Sequence, residues 1–188
     1  MINNPTPSQW ALICGAFQTL AGLALLAFPA ATVSGFLRAF PRDVWSGRIL
    51  AVITWAFAAW ATAIMPLDFL RPIQQPNVLI PITAVLAFLT CWWMPDLLAC
   101  RALAGIFMLF PCPLFLALRA HPSEWRLALI TYAYALAVWG MFVMFSPYHM
   151  RRLNFFLADR PVLQKICGVL MLALGLLFIT LAFTALKP

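Results

Sequence analysis

Uncharged, largely apolar tracts of about twenty residues alternate along the chain with short clusters of proline, arginine and aspartate, and six tracts are long enough to cross a bilayer. A helix rising 1.5 Å per residue needs about 20 apolar residues to span the hydrocarbon. The pattern predicts spans over residues 10–28, 45–65, 78–94, 97–118, 125–145 and 162–186. Pro111-Cys112-Pro113 interrupts the fourth tract, and residues 114–118 continue it as a kinked last turn. The predicted fold class is all-α: a polytopic transmembrane helical bundle, one integral membrane domain over residues 1–188, with helix-pair repeats as its candidate plan.

Proline and tryptophan positions agree with these boundaries. A proline inside a helix deletes a backbone hydrogen bond that lipid cannot replace, so prolines belong at segment ends. Of fifteen, only Pro81 and the pair Pro111 and Pro113 fall within a tract, Pro81 in what reads as an opening turn. Trp10, Trp45, Trp92, Trp93 and Trp125 fall at segment ends, where an indole keeps its N–H wet and its face in lipid. Trp55, Trp60 and Trp139 lie deeper and require packing partners.

The repeat suggestion comes from two segment starts. Asp43 to Ala51 and Asp96 to Ala104 both read D-x4-R-x-L-A, and a third start, Arg160 to Gly168, keeps the cation at Lys165. Pro66 to Arg71 and Pro113 to Arg119 give a fainter echo further along. Each Asp is placed to cap its helix and each cation to snorkel toward the interface. On a sharper reading Arg48, Arg101 and Lys165, with Asp43 and Asp96, form a cationic rim on one leaflet that takes a phosphate or an acidic partner.

Composition removes the soluble alternative: 65% of the residues are hydrophobic, 9% are charged, and the mean hydropathy is +0.96. A soluble domain carries roughly 25% charged residues. Residues 1–9 hold no Lys or Arg, so the first tract reads as a retained helix and not a signal peptide. The basic face sets the orientation. Six spans put Arg71, Arg119, Arg126 and Lys187 on the side of the termini, against Arg38, Arg42, Arg48, Arg101, Arg151, Arg152, Arg160 and Lys165 on the other. Cytoplasmic loops carry the excess, so the expectation is an integral protein of a bacterial inner (cell) membrane with both termini outside. The net charge of +7 is met by this bias and by anionic headgroups; no nucleic-acid motif accompanies it.

The chemistry-bearing residues are sparse. The middle of each span holds no ionisable side chain, which disfavours ion-coupled transport. Gln18, the scattered threonines, Tyr132 and Tyr134 would line a neutral-solute route, although Thr ordinarily bonds its own helix and Tyr or Gln pairs between helices. His121 and His149 fall on opposite faces and cannot share a haem iron. Cys91, Cys100 and Cys167 approach one face with His149, a conceivable metal set that is more simply read as buried thiols. Asp43, Asp96 and Asp159 share that face, each explained by helix capping. Small residues four apart, Ala11 with Gly15, Gly15 with Thr19, Ala59 with Ala63 and Ala133 with Ala137, mark close helix contacts.

No catalytic residue, metal site or cofactor is expected. The functional expectation is a non-catalytic accessory or scaffolding subunit whose cationic cytoplasmic rim contacts anionic lipid headgroups or a membrane-protein partner. The alternatives are a small permease for an apolar or neutral solute and a membrane enzyme acting on lipid headgroups.

Overall fold

The computed structural model describes residues 4–65, 71–94, 97–119 and 121–186, and among these it is helical with no strand. Among the described residues six stretches are long and apolar enough to cross a membrane: Pro7–Ala27 (α1), Val44–Ile64 (α3), Pro76–Trp93 (α4), Leu98–Leu118, Arg126–Phe145 (α7) and Pro161–Thr184 (α9). Each lies within a few residues of its predicted span. Leu98–Leu118 is two helices, Leu98–Leu109 (α5) and Pro111–Leu118 (α6). The break has a direct cause: Pro111 and Pro113 have no N–H for the carbonyls of Phe107 and Leu109, so the ladder stops at Phe110.

Two further helices occupy segments expected to be simple turns. Ala30–Ala39 (α2) follows α1, and Pro147–Ala158 (α8) follows α7. With 10 and 12 residues they are too short to span, and they pack on each other at the face where Arg38, Arg42, Arg151 and Arg152 lie. A 3-10 turn, Phe40–Arg42, then leads into α3.

Helix starts follow capping chemistry. Thr6 and Gln9 form a reciprocal capping box before α1, with Pro7 at the first helical position. Asp43 accepts from the N–H groups of Trp45 and Ser46, as its position predicts. Asp96, the corresponding residue before α5, lies outside the described residues, as do Lys187 and most of the Pro66 to Arg71 echo. Leu97, which caps α5, is left-handed at φ 54°. Pro81 needs correction: α4 begins at Pro76, so Pro81 is an interior residue and not part of the opening turn. The carbonyl of Asn77 loses its helical donor there.

The helices α1 and α9 form an antiparallel pair through glycines spaced seven apart, Gly15 and Gly22 against Gly175 and Gly168. A Cβ at Gly22 would stand 2.7 Å from both the Gly168 carbonyl oxygen and the Leu172 amide nitrogen. Such close backbone approach supplies the dispersion contact that drives association in lipid. Elsewhere α5 sits between α3 and α7, and α4 flanks α3. Gly47 of α3 meets Leu98 and Ala99, while Gly140 of α7 meets the Ala104 carbonyl. Thr54 ties α3 to α5 by donating to the Ala102 carbonyl at 2.9 Å.

The two groups join near the terminal face, where Trp10, Cys14, Leu114, Leu118, Leu129 and Phe178 are buried together. Trp10 departs from the interfacial role predicted for it. It is 4% exposed, stacks edge-on against Phe110 at 5.5 Å and donates its N–H to Asn4. Asn4 in turn donates to the Pro113 carbonyl, which docks the chain before α1 onto α6. Trp45, Trp92, Trp93 and Trp125 are exposed, and Trp55 donates to Thr90 across α3 and α4.

Candidate functional site

The arginine-rich face is built from the end of α1, α2, the starts of α3 and α5, α8 and the start of α9. Its predicted rim residues occupy different surroundings. Arg48 is exposed on the first turns of α3 with its guanidinium 5.7 Å from the Trp45 ring centre, and it borders a cleft with Phe88, Cys91 and Trp92 of α4. Arg101 is half-buried on α5 and Lys165 is exposed on α9. The packing of α3 on α5 makes Arg48 and Arg101 residents of neighbouring helices, whereas α9 packs chiefly on α1. Among the described residues no hydrogen bond or ion pair links the three cations.

Asp43 stays at its cap. The Ser46 hydroxyl and N–H, followed by the Trp45 N–H, hold its carboxyl below the ordinary value of 3.8. Asp159 does something other than cap a helix start: it ends α8 and forms an ion pair with Arg38 of α2. The expectation that capping explains Asp159 is thereby corrected. Its partner lies 121 residues away in the chain, on a helix the hydropathy pattern does not announce.

Beneath this ion pair is a polar knot that sequence reasoning missed. Gln164 on α9 is 2% exposed, and its Nε2 donates to the Leu157 carbonyl at 2.9 Å and to Ser34 Oγ at 3.2 Å. Ser34 donates to the Ala158 carbonyl at 2.9 Å. The Leu157 carbonyl, which also accepts from the Arg160 N–H, and the Ala158 carbonyl at the end of α8 are thus met by side chains from α2 and α9. Three elements are bound into one bracket. Aromatic rings carry the cations above it, Arg151 over Phe155 and Arg160 over Phe156.

Inside the bracket runs a groove of about 580 Å³ between α1, α2, α8 and α9, walled by Leu25, Phe28, Val33, Leu37, Leu157 and Met171 among others. Its polar contributors are Thr32, Asn154 and Cys167. A second cleft of about 530 Å³ opens at the terminal face between α6 and α7 beside Arg119 and Arg126. There Arg126 is engaged locally, donating to the His121 carbonyl at 2.8 Å.

The other candidate chemistry is dispersed. Cys100 packs with Ala104 and Val143, Cys91 borders the cluster of Ala51, Leu98 and Ala102, and Cys167 lines the groove. Among the described residues no three His, Cys, Asp or Glu side chains are grouped to hold a metal ion. His149 opens α8 against Ser146, whereas His121 lies between α6 and α7. Thr19, Thr54, Thr62, Thr83, Thr90 and Thr180 each donate to a carbonyl of their own helix. Tyr132 accepts from Gln18.

No family model, curated protein or solved structure matches this chain.

Proposed function

We propose that this integral membrane protein is a non-catalytic accessory or scaffolding subunit whose basic face lies in the cytoplasm and meets anionic lipid or a membrane-protein partner. The observation that carries the reading is the pairing of α2 with α8. Two non-spanning helices add Arg38, Arg151 and Arg152, together with exposed Phe36, Tyr148 and Phe156, to the cations at the starts of α3, α5 and α9. Basic residues interleaved with aromatic ones suit an interface of anionic headgroups. Six threonines that a solute route would use, Thr19, Thr54, Thr62, Thr83, Thr90 and Thr180, donate to carbonyls of their own helices, and Asp43 and Asp159 are engaged in a cap and an ion pair. Both facts favour support over transport or headgroup chemistry.

The test is purification in mild detergent, with mass spectrometry of co-purifying proteins and lipids. A stoichiometric protein partner, or an enrichment of anionic lipid that falls in Arg48→Gln/Arg101→Gln, supports the reading. Neither partner nor enrichment, together with measurable solute flux in vesicles, replaces it with the permease. A C-terminal reporter that proves cytoplasmic would reverse the orientation.

A further inference from the structure

We infer that the groove bounded by α1, α2, α8 and α9 is a lipid site that takes one acyl chain of a glycerophospholipid, with the chain's ester carbonyl accepting a hydrogen bond from the Asn154 amide. The inference is separate from the accessory-subunit proposal, since it concerns a single buried site and not the charge of the face.

Two independent observations point to this occupant. The first is shape and lining: a channel of about 580 Å³ whose walls are mostly aliphatic and aromatic carbon, reaching from the α2–α8 bracket down along the last turns of α1 and the first turns of α9. Phe28 and Phe36 belong to its wall and are also exposed, so the groove communicates with the outside of the bundle where lipid lies. The second is Asn154. The residue is 6% exposed and borders the groove, and among the described residues its side chain has no hydrogen-bond partner. An amide held this way, in a wall otherwise nearly apolar, wants a ligand that is itself mostly hydrocarbon with one acceptor near its polar end.

A glycerophospholipid meets that description. Helix α8 joins spanning helices at the membrane face, which is the level at which a lipid's ester groups lie, and the groove continues inward where its acyl chain would run. Arg38, next in the chain to the groove residue Leu37, pairs with Asp159 at the end of α8 and would meet the phosphate beside the groove. A free apolar solute would leave the amide unanswered. A second protein helix, about 10 Å across, is too wide for the volume available.

The full chain in detergent would be photolabelled with phosphatidylglycerol carrying a diazirine in its acyl chain, and the labelled peptides mapped by mass spectrometry. Labelling is expected to concentrate on residues 21–28, at the end of α1 and its cap, and 167–171 of α9. Unlabelled ester lipid should compete about three- to tenfold better than its dialkyl ether analogue, the worth of one hydrogen bond. Asn154→Leu should erase that preference, and Ala24→Phe, which fills the groove, should lower groove labelling at least about fivefold while labelling of the outer face of α4 near Phe88 persists. Arg48→Gln/Arg101→Gln should leave groove labelling unchanged, which keeps this inference apart from the proposed function. Labelling spread evenly over α4 and the groove peptides, or equal competition by ester and ether lipid in the unsubstituted protein, would overturn it.

Discussion

Gln18 on α1 donates through Nε2 to the Tyr132 hydroxyl on α7 at 2.6 Å, while its Oε1 is buried with no hydrogen-bond partner among the described residues. Among the described residues this pair is the side-chain hydrogen bond that connects the glycine-matched helices with the α3–α5–α7 group. Removing the hydroxyl orphans the amide further. Tyr132→Phe is expected to cost about 1–3 kcal/mol in denaturant titrations, more than Gln18→Leu, which deletes the polar group altogether. In the Gln18→Leu background Tyr132→Phe should be close to neutral. An equal loss in both backgrounds would mean that the hydrogen bond contributes nothing.

The glycines of α1 and α2 predict opposite outcomes for one substitution. Gly22→Ala drives a methyl against the backbone of α9 and should destabilise by about 1–3 kcal/mol. A Cβ at Gly35 meets nothing within 4 Å, so Gly35→Ala should stabilise α2 by about 0.5–1 kcal/mol through backbone entropy alone. Melting curves of the two variants in one detergent decide the matter.

Acid should loosen the start of α3. Ser46 and Trp45 hold the Asp43 carboxyl below its ordinary value of 3.8, so folding favours the carboxylate. Its contribution is full above about pH 4, the unfolded value, and disappears as the pH falls through the lower folded value. Asp43→Asn should flatten this acid limb while retaining an amide oxygen for the cap. Amide exchange at Ser46 and Gly47, followed from pH 6 down to pH 3, reads it directly.

Burial separates the two ties between α2 and its neighbours. Arg38 and Asp159 are exposed by 54% and 62%, and Arg38→Ala should cost under about 1 kcal/mol. Gln164→Leu strips donors from buried carbonyls and should cost about 1–3 kcal/mol, with faster amide exchange in α8 than in α5. Similar losses for both would contradict the distinction.

The six spans were legible because each satisfies one requirement, about twenty apolar residues between polar ends. Asp43 was legible for the same kind of reason: an acid one residue before an apolar run has one obvious use. The helices α2 and α8 were not, since a hydropathy threshold passes over segments that are part polar by design. Pro147 followed by Met150, Asn154 and Ala158, which are four apart, is the periodic signal that would have revealed α8. The α1–α9 seam was half legible. Ala11, Gly15 and Thr19 stood out at four-residue spacing, but the matching of Gly15 and Gly22 to Gly175 and Gly168 needs a seven-residue period on two distant helices. Gln164 and Asn154 were passed over because an isolated amide in a helix announces no partner; only the bracket of α2 and α8 gives each its role.

The glycine seam also imposes a timetable. Gly15 and Gly175 are about 160 residues apart along the chain, and at 5–20 residues per second the ribosome needs roughly 10–30 s to deliver the second after the first. Throughout that interval α1 stands in the bilayer with its grooved face uncovered. Of the six described spans, α1 is made before the other five yet is among the last to find its seat, and whatever shields it meanwhile, lipid or an insertion factor, must bind weakly enough to yield to α9.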